Sequence, residues 1–400
     1  MTVACKIESQ DQTRWRVVFA AVGLGVIGAM HIGKVPPAMP AIREDLGLGL
    51  VGGGFVVSLF NLLGMVLGLL IGSMTDRLGT QRATMLGLLF LVAGGVLGAL
   101  ASDLSLLLIS RALEGVGYIA VVVTMPGIVA GAAGEQSRSF AMGLWSAFMP
   151  LGFALGVLGT SVIIPVGGWP IAWLGLAGMT SLGFYVVIRV LPKDAKTPLE
   201  NSMAQLRMIV ARPRLWGLSG AFAAYAFQWV TFMVWLPTYL IEELAFTLGA
   251  ASLATVGVVV INVPGNLLGG VLLNRGVGPA WIVAGSAISM SLAAAALFLG
   301  CVGSPWLVLL CCFAFSFSGG VVPAVLFTGV TYNVDRPGLA GKANGMLMQG
   351  SAIGQFIGPP LVGAAVAAAG GQWSGAVAPL GIAAVITTLL CTVAANRPRN

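Results

Sequence analysis

The stretch PKDAKTPLENSMAQLRMIVARPR, residues 192–214, is the longest polar run in the chain and holds its densest charge. On both sides lie apolar runs separated by short charged or Gly/Pro turns. Six precede it, at about 15–37, 50–73, 83–101, 104–130, 139–163 and 170–190. Six follow it, at about 215–240, 247–273, 280–301, 305–330, 342–368 and 375–395. A helix crosses a bilayer core with about 20 apolar residues, so each run suffices. The runs are continuously apolar, not alternating, which excludes an amphipathic β-barrel.

Composition agrees. Charged residues make up 8% of the 400 and hydrophobic ones 58%, against about 25% charge in a soluble domain. So few charges cannot cover a water-facing surface. A soluble enzyme, a nucleic-acid binder and a disordered chain are all excluded. The expected fold is an all-α membrane protein of twelve transmembrane helices in two six-helix bundles. The expected domains are an N-terminal bundle over residues 1–190, a cytoplasmic linker over 191–214 and a C-terminal bundle over 215–400. Within the linker, residues 203–211 read either as a short interfacial helix or as plain connection.

Lysine and arginine placement sets the orientation. With the N-terminus inside, 17 of the 20 fall on the cytoplasmic side, Lys34 and Arg43 fall outside, and Arg111 lies within a helix. Both termini are therefore expected in the cytoplasm, and the net charge of +7 reflects these loops. The first apolar run lacks a small-residue cleavage site and reads as a retained helix.

The two halves repeat. Pro36 and Pro237 lie 201 residues apart, Gly72 to Arg77 and Gly270 to Arg275 lie 198 apart, and Ala141-Met-Gly143 and Ala343-Asn-Gly345 lie 202 apart. Six helices separate the copies. An even number preserves orientation, so the repeat is parallel, about a pseudo-two-fold axis along the membrane normal.

Gly72-x-x-x-Asp76-Arg77-x-Gly79-x-x-Arg82 joins helices two and three on the cytoplasmic side. Asp76 suits a helix N-terminus, Gly79 permits a positive φ, and Gly72 permits close helix approach. Arg111-Ala-Leu-Glu114-Gly115-x-Gly117 lies in helix four, and Pro150-Leu-Gly152-x-x-x-Gly156 lies in helix five. The loop resembles the signature of the major facilitator superfamily. The helix-four run is similar to that family's second motif, and the helix-five run is a partial match to its third. Trp235-Leu-Pro237-Thr-Tyr239-Leu resembles the cyanate-permease-like and nitroimidazole-permease-like branch. The resemblance implies a monomeric secondary transporter working by alternating access. It also implies a conformational latch formed by Gly72, Asp76, Arg77, Gly79 and Arg82 against the start of helix eleven near 341–345. Asn274 replaces the carboxylate in the second copy, so that latch is expected to be weaker.

An ionisable group inside the membrane is costly and is a functional candidate by default. Arg111 and Glu114 share a face of helix four at i and i+3. Three readings stay open: a structural pair within the N-terminal half, a proton-coupling site at Glu114, or an anion site at Arg111. His31 in the outer half of helix one is a bonded neutral residue or a protonation switch. Lys34 is expected to snorkel to the outer interface. The C-terminal half offers neutral polar groups. Gln228 and Tyr225 on helix seven, with Asn262 and Asn266 flanking Pro264 on helix eight, are candidate substrate contacts or helix-packing groups. Trp145 is a candidate stacking surface. Trp235 and Tyr239 serve either that purpose or interfacial anchoring.

The chain has one histidine and five cysteines without a Cys-x-x-Cys pair, so no metal is expected. It lacks a Gly-x-x-x-x-Gly-Lys-Ser/Thr loop, so neither ATP nor any other cofactor is expected. No acid/base cluster of an enzyme is present. The expected function is proton-coupled uptake of a small anionic or polar metabolite across the bacterial inner (plasma) membrane. The expected partners are that small molecule, protons and the lipid bilayer, without nucleic acid. The alternative is proton-coupled efflux of drugs or lipophilic metabolites, suggested by the aromatics and 16 methionines.

Overall fold

The computed structural model describes residues 13–62, 64–66, 79–134, 137–192, 202–334 and 337–394. Among the described residues there are fourteen α-helices and no strand. In chain order they are α1 (Trp15–Gly33), α2 (Val35–Leu46), α3 (Leu50–Ser58), α4 (Thr80–Ala99), α5 (Leu104–Ala132), α6 (Arg138–Ser146) and α7 (Phe148–Val190). They continue with α8 (Ser202–Val210), α9 (Pro213–Glu242), α10 (Leu248–Asn274), α11 (Pro279–Phe298), α12 (Pro305–Tyr332), α13 (Pro337–Ala368) and α14 (Val377–Ala394).

Among the described residues, ten helical segments are long and apolar enough to cross a membrane, and Leu50–Asn61 is a shorter apolar one. The 43 residues of α7 hold two crossings, divided at Gly168 with φ 73° and flanked by Pro165 and Pro170. Only glycine adopts that backbone at low cost. Counting α7 twice and Leu50–Asn61 once gives twelve crossings, and the protein is an all-helical, membrane-spanning chain. The short α8 accounts for the apolar piece of the linker.

The first crossing is longer than the sequence suggests. It runs from Trp15 to Leu46, not to residue 37. Pro36 and Pro37 fall in the first turn of α2, where a helix has no use for their missing N–H groups. Lys34 is the single turn residue between α1 and α2, and its N–H bonds Met30 O at 2.9 Å.

The chain divides into two compact units, Met1–Val35 with Leu70–Leu199, and Pro36–Leu69 with Glu200–Asn400. Residues 36–69 thus group with the second unit, whereas the sequence reading placed them in the first half. Tight backbone contacts explain the grouping. Gly54 of α3 lies against Pro359 and Pro360 of α13, and Gly363 of α13 lies against Leu50 of α3.

In the first unit, α1 and α7 meet through glycine. A Cβ on Gly156 would sit 2.6 Å from the carbonyl of Met30, so only glycine permits this approach. Beneath the contact, Leu24, Leu88, Leu91, Val121 and Met125 fill the core between α1, α4 and α5.

In the second unit, Gly350, Gly354 and Gly358 of α13 lie against backbone carbonyls of α9. An aromatic nest packs beside them. Phe232 stacks on Phe315 at 3.9 Å and 15°, and Phe298 stacks on Trp373 at 5.8 Å. Trp235 Nε1 donates to Pro359 O at 3.1 Å, and the Tyr239 hydroxyl donates to Leu297 O at 2.9 Å. Both rings are buried within the unit and are not interfacial anchors.

Candidate functional site

The first unit holds an ionic cluster built from α1, α5, α7 and the turn residue Lys34. His31 closes α1, three residues before Lys34, so both side chains project over one face. Arg111 and Glu114 stand on α5 at the same spacing. His31, Arg111 and Glu114 are 0% exposed and Lys34 is 1% exposed. Gly94 of α4 makes the fit possible: a Cβ there would stand 2.6 Å from Glu114 Cγ.

The Glu114 carboxylate is the hub. Oε1 accepts from Lys34 Nζ and lies 2.9 Å from His31 Nδ1. Oε2 accepts from Arg111 Nη1, which also donates to the backbone carbonyl of His31 at 3.1 Å. His31 Nε2 lies 3.0 Å from Thr180 Oγ1 of α7. Lys34 Nζ lies 4.3 Å from the centroid of the Trp173 ring, a cation–π distance. Counted in their ionised forms, Lys34 and Arg111 against Glu114 leave a formal +1 before His31 is counted. In a low-dielectric interior such a surplus is expensive.

The structure therefore joins three sequence candidates, Arg111, Glu114 and His31, in one site. It adds Lys34, Thr180 and Trp173. The expectation that Lys34 snorkels outward is overturned: helix continues for a further dozen residues beyond it, so Lys34 lies well inside the span. The i, i+3 spacing from His31 was the available signal. Thr180 and Trp173 carried none.

The other candidates lie elsewhere. Trp145 packs in the first unit's core, stacked on Phe148 at 4.3 Å. In the second unit, Gln228 Nε2 donates to Leu380 O at 3.1 Å and is buried. Tyr225 is buried and stacks on Phe222 at 5.9 Å. Asn262 Nδ2 donates to Ser316 O at 2.8 Å, and Asn266 Nδ2 donates to Asn262 Oδ1 at 2.9 Å. Asn262 and Asn266 thus form a second, neutral polar group, apart from Gln228. Of the latch candidates, Gly79 precedes α4 with φ 85° and Arg82 is exposed. Gly72, Asp76 and Arg77 lie outside the described residues. Among the described residues no group of three or more His, Cys, Asp or Glu is arranged for a metal.

The repeat gives the ionic cluster a counterpart. Pro36 and Pro237 are 201 residues apart, as are the first residues of α5 and α12, Leu104 and Pro305. At that offset His31, Lys34, Arg111 and Glu114 correspond to Phe232, Trp235, Cys312 and Phe315. All four of the latter are also buried at 1% or less. The His31–Glu114 contact becomes the Phe232–Phe315 stack.

A twelve-crossing helical protein with duplicated halves and a charged cluster sealed in one of them has the build of a membrane transporter. Residues 17–359 match the Major Facilitator Superfamily, and the chain belongs to it. Members of this family are transporters, not enzymes. One relative is the probable sulfoacetate transporter SauU of Cupriavidus necator, 26% identical over 366 residues, which cover 82% of each chain. The riboflavin transporter RibZ of Clostridioides difficile is 25% identical over 181 residues, 45% of this chain and 40% of that one. The quinolone resistance protein NorA of Staphylococcus aureus is 27% identical over 169 residues, 42% of this chain and 44% of that one. Among solved structures, a bacterial homologue of the human lysosomal transporter Spinster, inward-facing and unoccupied, superposes with a TM-score of 0.78 at 17% identity. That match covers 96% of both chains and shows the common fold.

Proposed function

We propose that this chain is a proton-coupled secondary transporter for a small organic anion, with the His31–Lys34–Arg111–Glu114 cluster as its coupling site. One observation carries the reading. The cluster fills positions where the repeat carries Phe232, Trp235, Cys312 and Phe315. An apolar filling therefore suits this fold. Replacing buried ion pairs by well-packed apolar groups is often neutral or stabilising. Packing alone does not account for four buried ionisable groups; a group that gains and loses a proton does.

The surplus positive charge favours an anionic cargo, because a cation would meet like charge. Similarity to a protein named as a sulfoacetate transporter supports the same class, since sulfoacetate carries a sulfonate and a carboxylate. Tyr225, Asn262 and Asn266 would supply neutral hydrogen bonds to the cargo. Gln228 and Trp145 would support the walls through a hydrogen bond to Leu380 and a ring stack on Phe148. The working halves would be residues 1–190 and 215–400, joined by 191–214, in a monomer. The protein would sit in the bacterial plasma membrane with both termini cytoplasmic.

The test is proton flux in proteoliposomes loaded with a pH-sensitive dye. An inward gradient of sulfoacetate or a small carboxylate should acidify the lumen, and Glu114→Gln should reduce acidification to the level of protein-free vesicles. Unchanged acidification in that variant would remove the coupling role. Similarity to NorA supports a second reading, export of lipophilic compounds in exchange for protons. Flux driven only by lipophilic dyes would favour it.

A further inference from the structure

We infer that His31 and Glu114 hold one shared, exchangeable proton, and that Thr180 is the positioning residue that puts it there by fixing the histidine tautomer. The inference deepens the proposed coupling role and starts from hydrogen-bond accounting. Thr180 Oγ1 donates to Leu176 O at 2.7 Å. A carbonyl offers no hydrogen, so the one hydroxyl hydrogen of Thr180 is spent there. Toward His31 the same oxygen is an acceptor. The ring nitrogen at 3.0 Å, Nε2, therefore carries a hydrogen.

A neutral ring with its hydrogen on Nε2 has a bare lone pair on Nδ1. Nδ1 lies 2.9 Å from Glu114 Oε1. A lone pair and a carboxylate repel at that distance, so a proton lies between them. Lys34 Nζ donates to Glu114 Oε1 and lies 3.4 Å from Nδ1; with three hydrogens it flanks both atoms, but the direct His31–Glu114 contact at 2.9 Å is shorter and needs a hydrogen of its own.

The proton has two homes of equal total charge, as imidazolium with carboxylate or as imidazole with carboxylic acid. Loading adds one proton to imidazole plus carboxylate and breaks no covalent bond. Release leaves two acceptors facing each other, and the contact must open. Lys34 Nζ, next to both atoms, is placed to move between them. The charged and titratable groups around the pair are Lys34 at the end of α1 and Arg111 on α5. Tyr118 of α5 is farther along α1, facing Gly28. The neighbouring stretch of α4 presents Gly94 and Gly95, and α7 presents Thr180 and Trp173.

His31 is the chain's single histidine, so labelling histidine with 15N reports this ring alone. The experiment uses full-length protein purified through a histidine-free tag, in lipid nanodiscs without cargo, with pH varied. Nε2 should keep its hydrogen across the titration while only Nδ1 changes state. Thr180→Ser should preserve that pattern, and Thr180→Val should give a mixture of tautomers. A hydrogen on Nδ1 with a bare Nε2 in the wild type would overturn the inference. So would a Thr180→Val variant with an unchanged tautomer. The wild-type and Thr180→Ser spectra decide the matter even if Thr180→Val fails to fold.

Transport supplies a separate arm. In proteoliposomes, Thr180→Val should displace the pH profile of proton-coupled uptake, and Thr180→Ser should restore it. If the spectra behave as expected while Glu114→Gln leaves proton flux untouched, the shared proton stands and the coupling function falls.

Discussion

The same slot in the two repeats is filled in opposite ways. In the first unit a carboxylate gathers a histidine, a lysine and an arginine. In the second, Phe232 lies flat on Phe315, with Phe298, Trp373, Trp235 and Tyr239 around them. Both fillings exclude water from the four corresponding side chains. The aromatic set gains dispersion and shape complementarity at little electrostatic cost. The ionic set gives up solvation and recovers it only through mutual contacts. A duplicated scaffold thus separates two tasks: one copy shows what packing requires, and the other shows what has been added to it.

The strongest way to break this comparison is to transplant the second filling into the first slot. The combined variant His31→Phe, Lys34→Trp, Arg111→Cys, Glu114→Phe should insert, fold and match or exceed wild-type thermal stability. Its cargo-driven proton flux should fall to that of protein-free vesicles. Misfolding, scored by size-exclusion profile and thermal unfolding, would show that the two slots are not interchangeable.

A smaller effect is expected from hollowing the aromatic slot. Phe315→Ala removes one face of the stack and should cost about 3–5 kcal/mol of stability, the usual range for a buried phenylalanine. The ratio of protons to cargo should stay the same. A changed ratio would mean that the second unit also takes part in coupling.

The smallest effect sharpens the contrast with neutral polar groups. Asn266→Ala removes a bond to Asn262, one turn back on the same helix, and should cost about 0.2–0.5 kcal/mol, typical of i, i+4 side-chain pairs. Unfolding measured in detergent checks this. If Asn266 also touches cargo, KM should rise while stability barely moves.

Much of this architecture is legible in the sequence because bilayers impose length and apolarity on every crossing. The linker at 192–214, the repeat offsets and the shared face of Arg111 and Glu114 are all local patterns. The cluster is not local. His31 meets Glu114 across 83 residues and Thr180 across 149, and no spacing rule spans such gaps. Lys34 is expected at the outer interface because the first apolar run closes at residue 37, with Pro36 and Pro37 at its end. They are instead the first turn of the next helix, which carries the span onward to Leu46. The break between crossings five and six is a single positive-φ glycine, Gly168, and not the short loop over 164–169 that the sequence suggests.

The prolines of the first crossing carry a mechanical consequence. The division between the two compact units falls at Val35 and Pro36, inside one continuous span. Pro36 and Pro37, in the first turn of α2, make no backbone bond back across the Lys34 turn to α1, and Pro40 withholds an N–H from the carbonyl of Pro36. Over these few residues the rod loses rungs and with them bending stiffness. Lys34 sits at the lower edge of that compliant joint with its side chain anchored to Glu114. The anchored charge thus stands beside the stretch where the span's own backbone ladder is thinnest.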